Sequence, residues 1–183
     1  MRTPGATSPE GIPDSSNQIF TTLRATPDLM ADIAAIVEPE VARTRPTPSR
    51  WSVLEIVAHL AEVEREVMRV RAQRMVEEDS PLLASYDQVA ECEAGRFNER
   101  DIHTELQRFA ALREENLAWL QRLAPEDWQR KGQHAELGEI TLANLLNEWA
   151  LHDIGHMRQI LEIQRARFWN NMGAFQRFYK VNP

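Results

Sequence analysis

The sequence predicts an all-α protein folded as a four-helix bundle. Three observations predict it. Four stretches repeat apolar residues at the roughly 3.6-residue helical period, each stretch is preceded by a recognisable start signal, and no segment shows the strict alternation of a half-buried strand. Composition agrees: only 7 of 183 residues are glycine and 27% are charged, which favours a helical protein over a sheet-rich one. The length fits a single domain with a genuine core.

Residues 1–17 are rich in Pro, Gly, Ser and Thr and are expected to form a flexible tail. They lack the basic and apolar regions of a signal peptide. Residues 18–183 are expected to form one helical domain. In Thr26-Pro27-Asp28 a threonine can cap, a proline can occupy the first helical position and an acid can face the positive end of the dipole, so the first helix is expected to start near Pro27. Leu29, Met30, Ile33, Ile36 and Val37 form its apolar stripe, and the segment Pro39 to Pro48 ends it. Ile19, Phe20 and Leu23 read as a short amphipathic turn before it.

Ser52-Val53-Leu54-Glu55 is a capping box that opens the second helix, which runs to about Glu78. Asp101 caps the third, whose stripe includes Leu106, Phe109, Arg113, Asn116, Leu117 and Leu120, until Pro125 breaks it. Thr141 caps the fourth, which buries Leu142, Leu145, Leu146, Trp149, Ile160 and Ile163. Amphipathic helices bury their stripes by packing together, hence a bundle. The connection of roughly twenty residues between the second and third helices is long for adjacent antiparallel helices, and a crossover explains it.

Charge and composition exclude several functions. A net charge of −7 argues against a nucleic-acid surface, which depends on Lys and Arg. Arg65, Arg69, Arg71 and Arg74 are interspersed with Glu62, Glu64, Glu66, Glu77 and Glu78, and the mixture reads as a solvated helix face. Cys92 is the only cysteine, so no intrachain disulfide forms and a reducing cytoplasm is expected. No apolar run approaches the roughly 20 residues of a membrane span.

The chemistry lies in the histidines. His152 and His156 are four residues apart on the fourth helix, a spacing that stacks two imidazoles on one face about 6 Å apart. His59, on the second helix, would complete a three-histidine site with open coordination positions if the fold brings it across. Neutral imidazole suits several divalent ions, zinc and nickel first, with iron and manganese admitted. The bland alternative is that these are surface or hydrogen-bonded core histidines.

Glu148, one turn before His152, is a candidate ligand or a support for one. His134 is a candidate for the mouth of a pocket, and residues 80–100 are expected to shape that pocket. Asp153 lies off the histidine row and reads as structural, and His103 reads as a surface residue. No His-Glu-x-x-His, Cys-x-x-Cys, Glu-x-x-His or glycine-rich phosphate loop is present, which removes zincin, zinc-ribbon, di-iron and nucleotide readings.

Trp51-Ser52, Glu55, His59-Leu60 and Glu64, followed by Gly138, Thr141, Leu145-Leu146, His152-Asp153, His156 and Gln159-Ile160, resemble the DinB/YfiT-like family over about Phe20 to Arg167. That resemblance implies a bundle of up-down-down-up topology, often a homodimer, and a divalent metal held by His59, His152 and His156. It further implies a metal-dependent enzyme that activates a thiol or water, of thiol-transferase, isomerase or hydrolase type, acting on a small molecule such as a low-molecular-weight thiol. The alternative is a non-catalytic, metal-stabilised bundle acting as a binding or stress-response partner. The family's name reflects DNA-damage induction of a founding member and implies no DNA binding.

Overall fold

A computed structural model of the chain describes residues 16–180. Helix α1 spans Ser16–Ala35, so Ser16 and Asn17 are helical, whereas residues 1–15 of the expected tail lie outside the described residues. The expected start at Pro27 is corrected: Pro27 lies inside α1. The buried series Ile19, Leu23, Thr26, Met30, Ala34 runs through it as one continuous stripe, and that packing outweighs the break. Proline removes the N–H that would pair with the Leu23 carbonyl. Arg113 supplies the missing donor, with Nη1 donating to Leu23 O at 2.7 Å, while the Thr26 hydroxyl donates back to Thr22 O at 2.8 Å.

A short helix α2, Pro39–Ala42, uses Pro39 as its first residue. Helix α3, Val53–Val63, opens with the capping box: Ser52 Oγ accepts from Glu55 N, and Glu55 Oε2 accepts from Ser52 N at 2.8 Å. The rod continues through a π-helical turn, Glu64–Met68, into α4, Arg69–Glu77. Beyond it come β1, Leu82–Leu83, then α5, Gln88–Ala94, capped by Asp87, and a 3-10 turn, Phe97–Glu99. Helix α6, Ile102–Leu120, is capped by Asp101, which accepts from Thr104 N. Helix α7, Leu142–Trp169, is capped by Thr141.

A small sheet departs from the all-helical expectation. Strands β2, Lys131–His134, and β3, Gly138–Thr141, form an antiparallel hairpin, and β1 joins β2 in parallel. These strands, two to four residues long, are too short to show an alternating pattern. Their effect is positional, since the sheet ties the long connection to the loop before α7 and carries His134.

In the bundle, α1 and α3 each pack against both α6 and α7. Contacts give the directions. Glu62 meets Arg108, Glu64 meets Arg113 and Arg69 meets Asn116, so α3–α4 and α6 run the same way. His59 meets His156 and Glu64 meets Trp149, so α7 opposes α3. Neighbours that run in the same direction require a connection that travels the length of the bundle, which is what residues 78–101 provide.

Two large apolar clusters fill the bundle, and a small third one joins Ala58 to Cys92 and Phe97. One of the large pair is built around Leu23, Met68, Trp128 and Trp149, the other around Met30, Ile56, Leu60, Phe109 and Ile160. Between them runs a buried polar layer containing Glu64, Arg113, Asn116, Asp153, His59 and His156. Glu64 therefore corrects the solvated-face reading: it is 1% exposed. Arg113 uses all five of its N–H donors, two on Glu64, two on Asp153 and one more shared with Leu23 O, while Trp149 Nε1 and Asn116 Nδ2 also donate to Glu64. A buried ion cluster holds only when every member is satisfied, and this one is.

Candidate metal centre

The capping box sets where α3 begins and so the face on which His59 points inward; it is 1% exposed. On α7, the i, i+4 spacing places His152 and His156 above one another, facing His59 across the bundle. His59 Nε2 lies 3.3 Å from His152 Nε2, and His156 Nε2 lies 3.1 Å from the same atom. One ligand atom from each ring lies within 4.8 Å of the other two. Trp51, just before the capping box, walls the group, with its ring centroid 4.7 Å from that of His59 and stacked on His156 at 6.3 Å.

The electrostatics keep these rings neutral. Burial pushes His59 down to about 2, reinforced by His156 and His152. Burial likewise brings His152 to about 3, helped by His156 and by the Arg113 cation, and lowers His156, against the hydrogen bond with Gln159. At neutral pH all three Nε2 atoms converge without the positive charge that would repel a cation.

The donor set passes a simple test of fit. His156 Nδ1 is 2.9 Å from Gln159 Oε1, so in the tautomer that donates to the amide oxygen Nδ1 carries the proton and the Nε2 lone pair points to the cluster. His59 uses Nε2 toward the cluster, and its buried Nδ1 has no hydrogen-bond partner among the described residues. With both neighbours centred on His152 Nε2, a single N–H would have to be shared between two acceptors, whereas a cation can accept all three lone pairs.

A cavity of about 270 Å³ opens on His59 and His152. Its walls include Arg71, Tyr86, His134 and Glu148, so His134 stands at the pocket and Glu148 on its wall. Glu148 lies outside the three-histidine cluster. Burial raises its carboxyl above the ordinary range while Arg71 opposes the shift. On the other side a cleft of about 260 Å³ is lined by Trp51, His156 and Gln159, and Gln88 of α5 contributes to both spaces.

The remaining polar residues are employed elsewhere. Asp153 pairs with Arg113, Glu55 serves the capping box and Arg45, and His103 is exposed. Cys92 is buried and its thiol is pushed up to about 11 by burial and the nearby Glu55, so it stays protonated. Sequence reasoning named Gln159 only within the family motif and Arg71 only within a solvated face, and gave neither a role in this region. Gln159 sits three residues after His156, a spacing that could have pointed to it. Nothing local distinguishes Arg71 from its neighbouring arginines.

The model of the DinB superfamily matches residues 22–160. This chain belongs to the DinB superfamily. Among relatives of this DinB-superfamily protein, one from Oceanobacillus iheyensis, named as a candidate metal-dependent hydrolase, is 23% identical over 153 residues, covering 84% of this chain and 88% of the relative. The fold is shared with YfiT from Bacillus subtilis, described as a probable metal-dependent hydrolase with an unusual four-helix bundle topology. The TM-score is 0.79 at 22% identity, covering 90% of this chain and 94% of YfiT. No described helix of this superfamily member is long and apolar enough to cross a membrane.

Proposed function

We propose that the protein is a metal-dependent enzyme of hydrolase type, with a divalent ion held by Nε2 of His59, His152 and His156. The convergence of those three neutral nitrogens beside a cavity that reaches His59 and His152 carries the reading. The names of the two relatives support it. Zinc or nickel suits the donor set best. Such an ion supplies Lewis-acid polarisation and stabilises an anion, hydroxide or thiolate, near neutral pH.

The chain's own residues do the rest. Gln159 holds the Nδ1 proton of His156 and so keeps its Nε2 free to bind. Trp51 covers the rings on one side and restricts water. Glu148, with its carboxyl raised by burial, is placed to accept a proton at its side-chain oxygens from a nucleophile entering the cavity. His134 and Tyr86 shape the entrance.

The same reading includes a small-molecule substrate, a cytoplasmic location and a homodimer. Leu151, Ile154, Leu161 and Phe168 recur along an exposed side of α7 and supply an apolar stripe for a second copy. Metal analysis of protein purified without an affinity tag is the decisive experiment. About one divalent ion per chain is expected, lost in His152→Ala and His156→Ala. Equal, negligible metal in all three proteins would sink the proposal.

A further inference from the structure

The four arginines of the π-helical turn and α4 have different fates. Arg65 pairs with Glu62 and Glu66, and Arg74 pairs with Glu78. Arg69 lies over the Trp119 ring at 4.1 Å. Arg71 alone of the four lines the cavity that also reaches His59 and His152. One edge of its guanidinium is fixed, with Nη2 donating to Ala84 O at 2.8 Å.

Among the described residues Arg71 makes no ion pair. Glu148 and Glu136 act on it only through space, and burial works against its charge. A partly desolvated cation without a paired carboxylate is costly, and the cost is recovered when an anion docks against it. A guanidinium suits this task because its planar fork matches a carboxylate in two parallel hydrogen bonds.

We propose that Arg71 is the substrate anchor of this cavity and that the substrate carries a carboxylate beside the group that reaches the histidines. The inference rests on the metal-centre reading above. A carboxylate fits better than a phosphate, because Glu136 and Glu148 share the cavity and repel a doubly charged group more strongly than a singly charged one. The cavity, at about 270 Å³, admits a small molecule.

Two probes test this on the full-length, nickel-loaded protein: acetohydroxamate and the monohydroxamate of succinate. They share a metal-binding head and differ in a terminal carboxylate. Calorimetric titration should show the succinate probe binding about tenfold or more tightly than acetohydroxamate. Arg71→Ala should bring the two within about twofold, with nickel content and acetohydroxamate affinity unchanged. Arg71→Gln keeps a donor for the Ala84 carbonyl and guards against misfolding; the same loss of preference is expected of it. Equal binding of both probes by the native protein, or a preference that survives in Arg71→Gln, overturns the assignment of Arg71 while leaving the metal centre intact. Failure of the native protein to take up nickel appears before any probe is added, and overturns both.

Discussion

Gln159 accepts a hydrogen bond from His156 across 2.9 Å, Nδ1 to Oε1, and thereby selects which ring nitrogen faces the other two histidines. Gln159 is exposed, yet it controls a buried imidazole three residues away on the same helix. Partners of this kind are typically worth about 10- to 100-fold in metal affinity. Gln159→Ala should weaken nickel or zinc binding within that range, measured by competition with a chromogenic chelator, without changing the stability of the metal-free protein. Gln159→Glu, which can only accept, should retain or strengthen binding. Weaker binding by the Glu variant would mean that the opposite tautomer is the native one.

Metal should stabilise the fold, because the three ligands come from two helices that only the folded state brings together. Adding EDTA to the native protein is expected to lower its Tm, and adding it to His59→Ala or His152→Ala to leave Tm unchanged. Scanning calorimetry with and without the chelator checks this. An equal response in native and variant proteins would place the metal elsewhere.

The metal-free protein should lose stability in acid below the ordinary histidine value of 6.5. The unfolded chain protonates these rings near that value, whereas the folded chain resists down to about 2 for His59 and about 3 for His152. Between those limits the unfolded state binds more protons, so stability is complete above 6.5 and falls as pH is lowered toward the folded values. Each ring contributes at most about 1.4 kcal/mol per pH unit. Urea denaturation at a series of pH values would show it, and replacement of His59 by a non-titrating residue should flatten the slope. A slope unaltered by that replacement contradicts the neutral, buried assignment.

Arg113→Met should be strongly destabilising. It strips the counter-charge from Glu64 and Asp153 and leaves the Leu23 carbonyl opposite Pro27 without its donor. Breaking a buried pair in this way costs about 3–5 kcal/mol. Chemical denaturation gives the number, and a loss below about 1 kcal/mol would show that the cluster is not held as a unit.

The legible parts of the chain are those whose signals are local. The capping box at Ser52, the caps at Asp101 and Thr141, and the i, i+4 pair His152 and His156 are each written within a few adjacent residues, and each stands where periodicity and side-chain chemistry put it. Pro27 misled because its local meaning, a helix start, is cancelled by Arg113, ninety positions away from Leu23. Glu64 misled for the same reason. Its charge reads as solvated until Arg113, Trp149 and Asn116 arrive from other helices. The three-stranded sheet was invisible because its partners are two to four residues long and joined across the sequence.

By itself the sequence determined the helical class, the starts of the helices that carry the histidines and the pairing of His152 with His156, since helix geometry is decided by neighbours within one or two turns. Only the tertiary structure decided that His59 closes the triad, that Gln159 lines the cleft at His156 and Arg71 the cavity at His59 and His152, and that a charged cluster lies buried beside it. Those outcomes depend on which helices adjoin and how the long connection crosses the bundle. They are set by burying every apolar stripe and every buried charge at once, a condition that no local stretch of the chain can express.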